Sequence, residues 1–362
     1  MYNPLKLFRP KGSSGYLGVD IGTTSIKIAE IERGERSPRL VNYAFLESQA
    51  SLTRANTVFQ TSNLKLFDQE ITEFLKLTVE KMKPRTTDAI ASLASFSAFM
   101  TVLSLPEMSD EEIAQSMILQ AKRYIPLPLS EVALDWLKVG EYKNDEGFRF
   151  QQILLISVPQ ENIRKYQKIF ERAGLTLKAL EIESLSLARS LVGSDPTPTF
   201  IVDIGSRSTA IVAVDGGQIR FTTQSDFAGA SLTQALAESL NINPLRAEEL
   251  KRERGIMGTG PDYELSTIMI PFLDAIINEV RRAEYNYQAQ SPWASKIERV
   301  ILSGGGANLL GIEKYWSNQV GIPVVKANPL LLFEYPSALG SLSGELNPFL
   351  SVALGLPLRE LS

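Results

Sequence analysis

The chain has neither a cysteine nor a histidine among its 362 residues. The lack of cysteine excludes disulfides and thiolate metal sites. The lack of histidine means that any chemistry must use carboxylates, lysine, hydroxyls, backbone amides or a borrowed metal ion. No apolar run reaches the roughly 20 residues of a membrane-spanning helix, and the N-terminus lacks the apolar core of a signal peptide. We therefore expect a cytosolic protein, in which Leu5–Arg9 either is a frayed terminus or touches a membrane surface.

Strong net charge and two common nucleotide signatures are also missing. The net charge is −4, so no bulk field favours nucleic acid or an anionic membrane. No G-x-x-x-x-G-K-[ST] run is present, which excludes a P-loop, and no G-x-G-x-x-G follows the first strand, which disfavours a dinucleotide fold. The hydrophobic share of 44% is enough for two domains with sizeable cores.

One motif occurs twice, about half a chain length apart. GVDIGTTSIKIAEIERG begins at Gly18 and IVDIGSRSTAIVAVDGG begins at Ile201, and the two align without gaps. In each copy an apolar strand runs into Asp-Ile-Gly, small hydroxyl residues follow, and a second alternating strand closes at a turn. Each copy predicts a β-hairpin, and the separation is too long for a solenoid repeat. We infer two duplicated halves of like fold that face each other.

The repeated turn has the composition of a phosphate-binding loop, although an isolated Asp-Ile-Gly is usually only a structural turn. Glycine allows close approach, and exposed amides and hydroxyls donate hydrogen bonds to phosphate. Asp20 and Asp203 would repel phosphate unless a cation lies between, which predicts Mg²⁺ held mostly through water. Lys27 either reaches a phosphate or stays solvated. The predicted phosphate contacts are Gly22, Thr23 and Thr24 in the first copy and Gly205, Ser206 and Ser208 in the second.

A distinct block lies between the two hairpins, from about Phe96 to Gly174. It predicts a strand, a helix whose Ser109 and Glu112 have the spacing of a capping box, a strand pair and a second helix. This pattern indicates a small α+β insert.

The second half carries two further candidate ligand contacts. Three glycines at a strand end would let a flat ring or a ribose lie against bare backbone. On a long helix, Glu279 and Arg282 share a face and form either a surface ion pair or a flank for an adenosine. Asn308 would cap the next helix or contact the same ligand. The glycines are Gly304, Gly305 and Gly306.

Hairpin, second hairpin and glycine turn, in this order, resemble the phosphate-1, phosphate-2 and adenosine pattern of the actin-like ATPases. LEIESLSLARSL and PFLSVALGLPLREL resemble the connecting helices of that superfamily. FAGASLTQALAESLNINPLRAEELKRERG is similar to a run shared by the FtsA and PilM families, with Ala228-Gly229 where two glycines are usual. AKRYIPLPLSEVALDW is similar to the PilM insert, and the sequence stops at 358–362 without the membrane helix expected of FtsA. These features favour the PilM family.

The resemblance implies an α/β actin-like fold of two ribonuclease-H-like halves with an inserted α+β domain of the 1C type. The first half would comprise residues 1–95, 175–195 and 340–362, the insert 96–174, and the second half 196–339. ATP and Mg²⁺ would lie between the halves, with Gly229 among the contacts. Glu181 falls at the place of a water-orienting carboxylate, where an aspartate is expected, and Glu183 is its near neighbour. Hydrolysis is at most slow in this interpretation, and ATP could equally be a structural cofactor.

The resemblance also implies the partners. The cytoplasmic N-terminal tail of PilN would dock between the insert and the first half, and the protein would be recruited to the inner face of the inner membrane indirectly. Met117 and Tyr124 either line that groove or pack the insert's own core. Other components of the pilus inner-membrane complex and self-association are further implied contacts, and no nucleic acid is expected. The alternatives are an FtsA-like cell-division ATPase and an actin-fold small-molecule kinase, which the insert argues against.

Overall fold

A computed structural model describes residues 15–47, 68–125, 127–257, 263–290 and 294–361, so that Leu5–Arg9 lies outside the described residues. The strands are β1 (Gly15–Ile21), β2 (Ser25–Glu32), β3 (Arg39–Glu47), β4 (Asp88–Leu93), β5 (Phe99–Pro106), β6 (Val132–Lys143), β7 (Arg149–Pro159), β8 (Thr176–Ile182), β9 (Thr199–Ile204), β10 (Thr209–Asp215), β11 (Gln218–Ser225), β12 (Arg299–Ser303) and β13 (Val324–Lys326). The α-helices are α1 (Asp68–Met82), α2 (Asp110–Tyr124), α3 (Gln160–Arg172), α4 (Glu183–Leu191), α5 (Gly229–Leu240), α6 (Pro244–Arg254), α7 (Tyr263–Gln290), α8 (Ile312–Val320) and α9 (Ser343–Leu361).

Two five-stranded sheets have the same topology. The first has the order β3-β2-β1-β4-β8 and the second the order β11-β10-β9-β12-β13. In each half the first three strands form an antiparallel meander, and the next two run parallel to the half's first strand. The shared order confirms the predicted duplication of an α/β half.

The two Asp-Ile-Gly turns occupy equivalent places in the two sheets. β1 is buried along its whole length, and β9 is buried at every residue but Asp203. These near-continuous apolar runs are typical of strands that are covered on both faces. Because the carboxyl ends of parallel strands meet at one sheet edge, the turn after β1 lies beside the ends of β4 and β8, and the turn after β9 lies beside the end of β12.

The insert consists of β5, α2, β6 and β7. Its strands pair in the order β5-β7-β6, and α2 packs its apolar stripe into the insert's own core. The predicted capping box is present, since Ser109 accepts from the Glu112 amide and Glu112 accepts from the Ser109 amide. Met117 is fully buried in that core, whereas Tyr124 is 45% exposed.

Helix α3 falls within the range predicted for the insert but packs with the first half. Ile163, Ile169 and Phe170 join a core cluster that includes β1, β4 and β8 as well as β7 of the insert, and α3 contacts α1 and β8 more than it contacts β7. The physical reason is the need to cover the first sheet: α3 leads directly into β8, as a crossover helix does between parallel strands.

Helices α4 and α9 cross closely and correspond to the two predicted connecting helices. The Ser186 hydroxyl donates to the Val352 carbonyl oxygen at 2.7 Å. A Cβ at Gly355 would lie 2.4 Å from the Ser186 carbonyl oxygen, so the crossing requires glycine there. Among the helices in the described ranges, none is long and apolar enough to cross a bilayer.

Candidate functional site

Each half contributes one tight glycine turn to a shared cleft. The Gly22 amide donates to the Ser25 carbonyl oxygen at 2.9 Å, and the Gly205 amide donates to the Ser208 carbonyl oxygen at 3.0 Å. A Cβ at Gly205 would lie 2.8 Å from the oxygen that closes its own turn, and one at Gly22 would lie 3.3 Å from the equivalent oxygen. The second turn therefore excludes any side chain at its glycine, while the first is slightly wider.

The Asp20 carboxylate is held by two side chains from different strands. Lys27 faces Asp20 across the β1–β2 ladder and donates to it at 3.0 Å. The hydroxyl of Ser92, at the end of β4, donates to the other carboxylate oxygen at 2.8 Å. Lys27 also lies 4.7 Å from the centre of the Phe349 ring, a cation–π contact. Its side chain is only 13% exposed, so Lys27 is held inside the cleft and is not solvated.

Three carboxyl groups converge on the Lys27 ammonium. Although burial alone would lower the pKa of Lys27, Asp20 and Asp203 together raise it. Burial raises the pKa of Asp203, with Lys27 opposing. Burial is the main cause that raises the pKa of Glu183 to about 8, and the negative charge of Asp203 is the next largest. The hydrogen bond that the Glu183 carboxylate accepts from the Ser95 amide opposes this rise. Glu183 therefore carries a proton at neutral pH.

The acidic groups suit a cation that brings ligands of its own. Within the described ranges, no set of three carboxylates is arranged to hold a metal ion alone. Asp20 and Asp203 nonetheless line the same cleft. A Mg²⁺ ion keeps several waters and usually takes one or two carboxylates together with phosphate oxygens. The residues present therefore fit a magnesium–phosphate complex better than a resident bare metal.

The second turn is fixed to the start of α5. The Gly229 amide donates to the Gly205 carbonyl oxygen at 3.0 Å, and the Ala230 amide donates to the Ser206 carbonyl oxygen at 2.7 Å. The Lys251 ammonium, from α6, donates to the Gly229 carbonyl oxygen at 3.1 Å. The helix start and the turn thus form one unit beside the cleft.

Lys251 and Glu248 are site residues that the sequence analysis did not single out. Lys251 donates to the Glu248 carboxylate at 2.6 Å and to the Thr233 hydroxyl at 2.8 Å. Although burial opposes the change, Lys251 and its neighbours lower the pKa of Glu248 to about 2. Both residues lie in the Ala-Glu-x-x-Lys part of the run that resembles FtsA and PilM, and that run was the available signal.

Two of the three glycines after β12 are required by packing. A Cβ at Gly304 would lie 2.4 Å from the Ile204 carbonyl oxygen, and Gly304 has a φ of 81°. A Cβ at Gly306 would lie 2.3 Å from an Ile204 side-chain carbon. Only Gly305 has room, with the Phe349 ring 3.7 Å from its Cβ position. Asn308 donates to the Glu345 carbonyl oxygen at 2.9 Å, so it ties α9 to this turn and does not cap α8.

The cleft gathers most of the predicted ligand contacts but not all. It has a volume of about 570 Å³. Glu279 and Arg282 do not line it; they form a 3.2 Å ion pair in which Arg282 is 68% exposed, the surface alternative of the two predicted. The predicted residues that line it are Asp20, Gly22, Thr23, Thr24, Lys27, Glu183, Asp203, Gly205, Ser206, Ser208, Gly229, Gly304, Gly305, Gly306 and Asn308.

Glu181 is also outside the cleft, which corrects its predicted water-orienting role. Its carboxylate receives two hydrogen bonds from the Arg189 guanidinium, at 2.8 and 2.6 Å, and lies 3.7 Å from Arg359. This bidentate pair joins α4 to the end of β8. Glu183, two residues later, is the carboxyl group that faces the cleft.

Two halves of one strand order, each with a glycine turn on a common cleft, define the actin-like ATPase fold. A solved PilM–PilN type IV pilus biogenesis complex matches this chain with a TM-score of 0.80 at 22% identity, over 96% of this chain and 98% of that one. MreB5 of Spiroplasma citri, bound to AMPPNP, matches with a TM-score of 0.55 at 12% identity, over 96% of both chains. Among curated proteins, the cell division protein FtsA of Enterococcus hirae is 21% identical over 85% of this chain and 77% of its own length. The family model for the type IV pilus assembly protein PilM matches residues 18–361, and the chain belongs to that family.

Proposed function

We propose that this chain is an ATP-binding scaffold of type IV pilus assembly, with Mg-ATP in the cleft and a PilN tail beside the insert. The observation that carries the proposal is the pair of matched glycine turns, with Asp20 and Asp203 before them, in a cleft of about 570 Å³. That volume lies within the range of small-molecule sites. The pilus context is supported by the family, and nucleotide by the AMPPNP in the MreB5 structure of the same fold.

In this proposal the two turns hold the phosphates from opposite sides. Amides and hydroxyls at 22–24 serve one face, and those at 205–208 serve the other. Lys27 lines the same cleft, bonds Asp20 and interacts electrostatically with Asp203. Magnesium would offset phosphate charge and would be held through water by the two aspartates. The adenosine would lie at the glycine turn 304–306, with Asn308 and the Lys251–Glu248 pair near it.

Glu183 is the proposed water-orienting residue, and its protonation favours slow hydrolysis. A carboxyl group with a pKa of about 8 is a poor base at neutral pH because it is mostly protonated. A slow enzyme suits a scaffold that keeps its nucleotide. At a ligand concentration of one hundred times Kd, binding would stabilise the fold by about 2.7 kcal/mol.

The PilN tail is proposed to dock between the insert and the first half. The similarity of this chain to a solved PilM–PilN complex supports this partner. Met117 is fully buried in the insert's core and is therefore removed from the proposed lining, whereas the exposed Tyr124 remains a candidate. We assign 1–95, 175–195 and 340–362 to the first half, 96–174 to the insert and 196–339 to the second half, with α3 packed on the first half. The protein would then be cytoplasmic and recruited to the inner membrane through PilN.

Nucleotide and peptide titrations test the two parts separately. We expect the wild type to bind Mg-ATP, and Asp203→Asn to weaken binding at least tenfold, since it removes one of the two carboxylates facing the metal. Glu279→Gln is the matched control, because it removes a carboxylate outside the cleft and should bind as the wild type does. Equal affinities for all three proteins would reject the cleft model. Nucleotide binding without binding of a PilN tail peptide would leave the cleft model and remove the partner.

A further inference from the structure

An arginine of the second half reaches into the insert. Strand β11 packs against β5 and β6 of the insert. From β11, the Arg220 Nη1 donates to the Gln152 Oε1 at 2.5 Å. Gln152 lies on the insert's central strand, β7, and is only 2% exposed. This buried contact holds the insert to the second half, in addition to the covalent connections that join it to the first.

The insert's sheet is shaped to admit the guanidinium. Gly140 on β6 pairs with Gln152, and the β6–β7 register shifts between Lys138 and Gly140. A Cβ at Gly140 would lie 2.2 Å from Arg220 Nη1 and 2.6 Å from Gln152 Oε1. Any other residue at this place would push the arginine out, so a glycine and a strand irregularity together make the space.

The other end of the contact is fixed to the core of the second half. The Arg220 Nε donates to the Asp215 carbonyl oxygen at 3.3 Å. The hydroxyl of Tyr287, a buried residue of α7, donates to the Asp215 carboxylate at 3.2 Å. Arg220 therefore moves with the second half, while Gln152 moves with the insert.

Strand β10, which ends at Asp215, begins directly after the second of the proposed phosphate-binding turns. β10 begins at Thr209, next to the turn 205–208, and ends at Asp215. Seven residues of strand span about 20 Å, and the β10–β11 ladder, whose register shifts between Ala213 and Val214, holds this strand to the one that carries Arg220. Any rotation of the second half that changes the turn's position in the cleft must displace Arg220. The insert must then move with Arg220, or the hydrogen bond from Arg220 to Gln152 must break.

We propose that Arg220 couples occupancy of the cleft to the position of the insert, and so to the affinity of the groove for its peptide. This inference rests on the proposed function, because it links the nucleotide site to the partner site. Coupling of this kind is reciprocal: if the nucleotide changes the affinity for the peptide, the peptide must change the affinity for the nucleotide by the same factor.

Peptide titrations with and without nucleotide measure the coupling. With a PilN tail peptide, we expect saturating Mg-AMPPNP to change the Kd of the wild type by about fivefold or more, the lower end of usual coupling. In Arg220→Gln the ratio should fall to within twofold of one, and Gly140→Ala should act in the same way from the insert's side. Arg246→Gln, an exposed residue of the second half, should keep the wild-type ratio.

Distance measurements report on the contact itself, without any ligand. Because the chain has no cysteine, Glu146→Cys in the insert and Lys314→Cys in the second half can carry spin labels without background. We expect one narrow distance distribution, which Arg220→Gln broadens while circular dichroism shows a folded protein.

The outcomes separate the two proposals. Wild-type coupling that survives in Arg220→Gln, an uncoupled wild type, or an unchanged distance distribution would overturn the role of Arg220 alone. A wild type that binds no peptide would overturn the proposed function and the coupling with it.

Discussion

Replacing Glu183 with glutamine tests whether the buried Glu183 carboxyl group is protonated in the folded protein. Burial, followed by the charges of Asp203 and Asp20, raises the pKa of Glu183 from 4.5 to about 8. The folded protein therefore binds one more proton than the unfolded chain between these pH values. By linkage, the stabilisation is complete below about pH 4.5 and is lost as the pH rises towards 8. The wild type should thus become less stable across the neutral range.

The size of the effect follows from the same pKa values. A shift of one pKa unit corresponds to about 1.4 kcal/mol. The shift of the Glu183 pKa from 4.5 to about 8 therefore contributes about 3–5 kcal/mol to the free energy of unfolding, after allowance for partial solvent access. Glutamine has the shape of the protonated carboxyl group and cannot ionise, so the variant should lose this dependence. For a cooperatively unfolding domain of 150–250 residues, this loss of stability lowers the melting temperature of the wild type by roughly 10 °C between pH 5.5 and pH 8.5.

Thermal unfolding of nucleotide-free protein over this pH range is the assay. Glu181→Gln is the matched control, because it changes a glutamate two residues away that pairs with Arg189 outside the cleft. That variant should melt lower at every pH, without flattening the profile. A Glu183→Gln profile that follows the wild type to within about 2 °C would refute the assignment of a buried, protonated Glu183.

Three further predictions concern the turns. Lys27→Met keeps the aliphatic volume but removes the ammonium that bonds Asp20 and interacts with Asp203. Calorimetry should therefore show at least tenfold weaker Mg-ATP binding and a stability loss of about 3 kcal/mol; a wild-type affinity would contradict this. Gly205→Ala should weaken nucleotide binding more than Gly22→Ala, since the added Cβ lies 2.8 Å rather than 3.3 Å from the carbonyl oxygen closing the turn; equal effects would count against the steric argument. Gly306→Ala should lower the melting temperature because its Cβ lies 2.3 Å from an isoleucine of β9, whereas Gly305→Ala should melt normally and lose only nucleotide affinity.

The duplicated hairpins were predictable because their signal is local. Alternating apolar residues, an Asp-Ile-Gly turn and hydroxyls occur within 17 consecutive residues in each copy, so no distant contact is needed to read them. The capping box of α2 was predictable for the same reason, since both partners lie within three residues.

The choice between Glu181 and Glu183 could not be made from the sequence. In a continuous strand, residues two apart point to the same side. Here β8 ends at Ile182 and α4 begins at Glu183, so the two carboxylates diverge. The exact position of a strand-to-helix boundary depends on packing, here on Arg189 and Arg359, which approach from two helices.

The Lys251–Glu248 pair was not predicted because the sequence around it has the charge pattern of a solvent-exposed helix. PLRAEELKRERG has charges around most of the helix, a pattern that usually indicates an exposed surface. Only the docking of α6 on α5 brings the ammonium to the Gly229 carbonyl oxygen. A buried charge of this kind is a tertiary property, and no local pattern distinguishes it from its exposed neighbours.

The two hairpins differ at the ladder position opposite the aspartate, and the residue in that position of the first hairpin acts on both aspartates. Lys27 faces Asp20 in the first hairpin, whereas Ala210 faces Asp203 in the second. The same ammonium therefore acts on both aspartates: it bonds Asp20 directly and opposes the rise in the pKa of Asp203. Lys165 and the α6 lysine also line the cleft, but each pairs with an acidic residue of its own.

Asp203 therefore lacks the direct ladder partner that Asp20 has. One ammonium bonds Asp20, whereas Asp203 has a raised pKa and an alanine, Ala210, opposite it on its own ladder. A phosphate ligand alone would add negative charge beside Asp203, while a phosphate that brings a divalent cation would offset the charge of both. A lysine in place of Ala210 would add a positive charge opposite Asp203 and reduce the need for the metal. Under the proposed function, this departure of the second hairpin from the first favours Mg-ATP over a free phosphate.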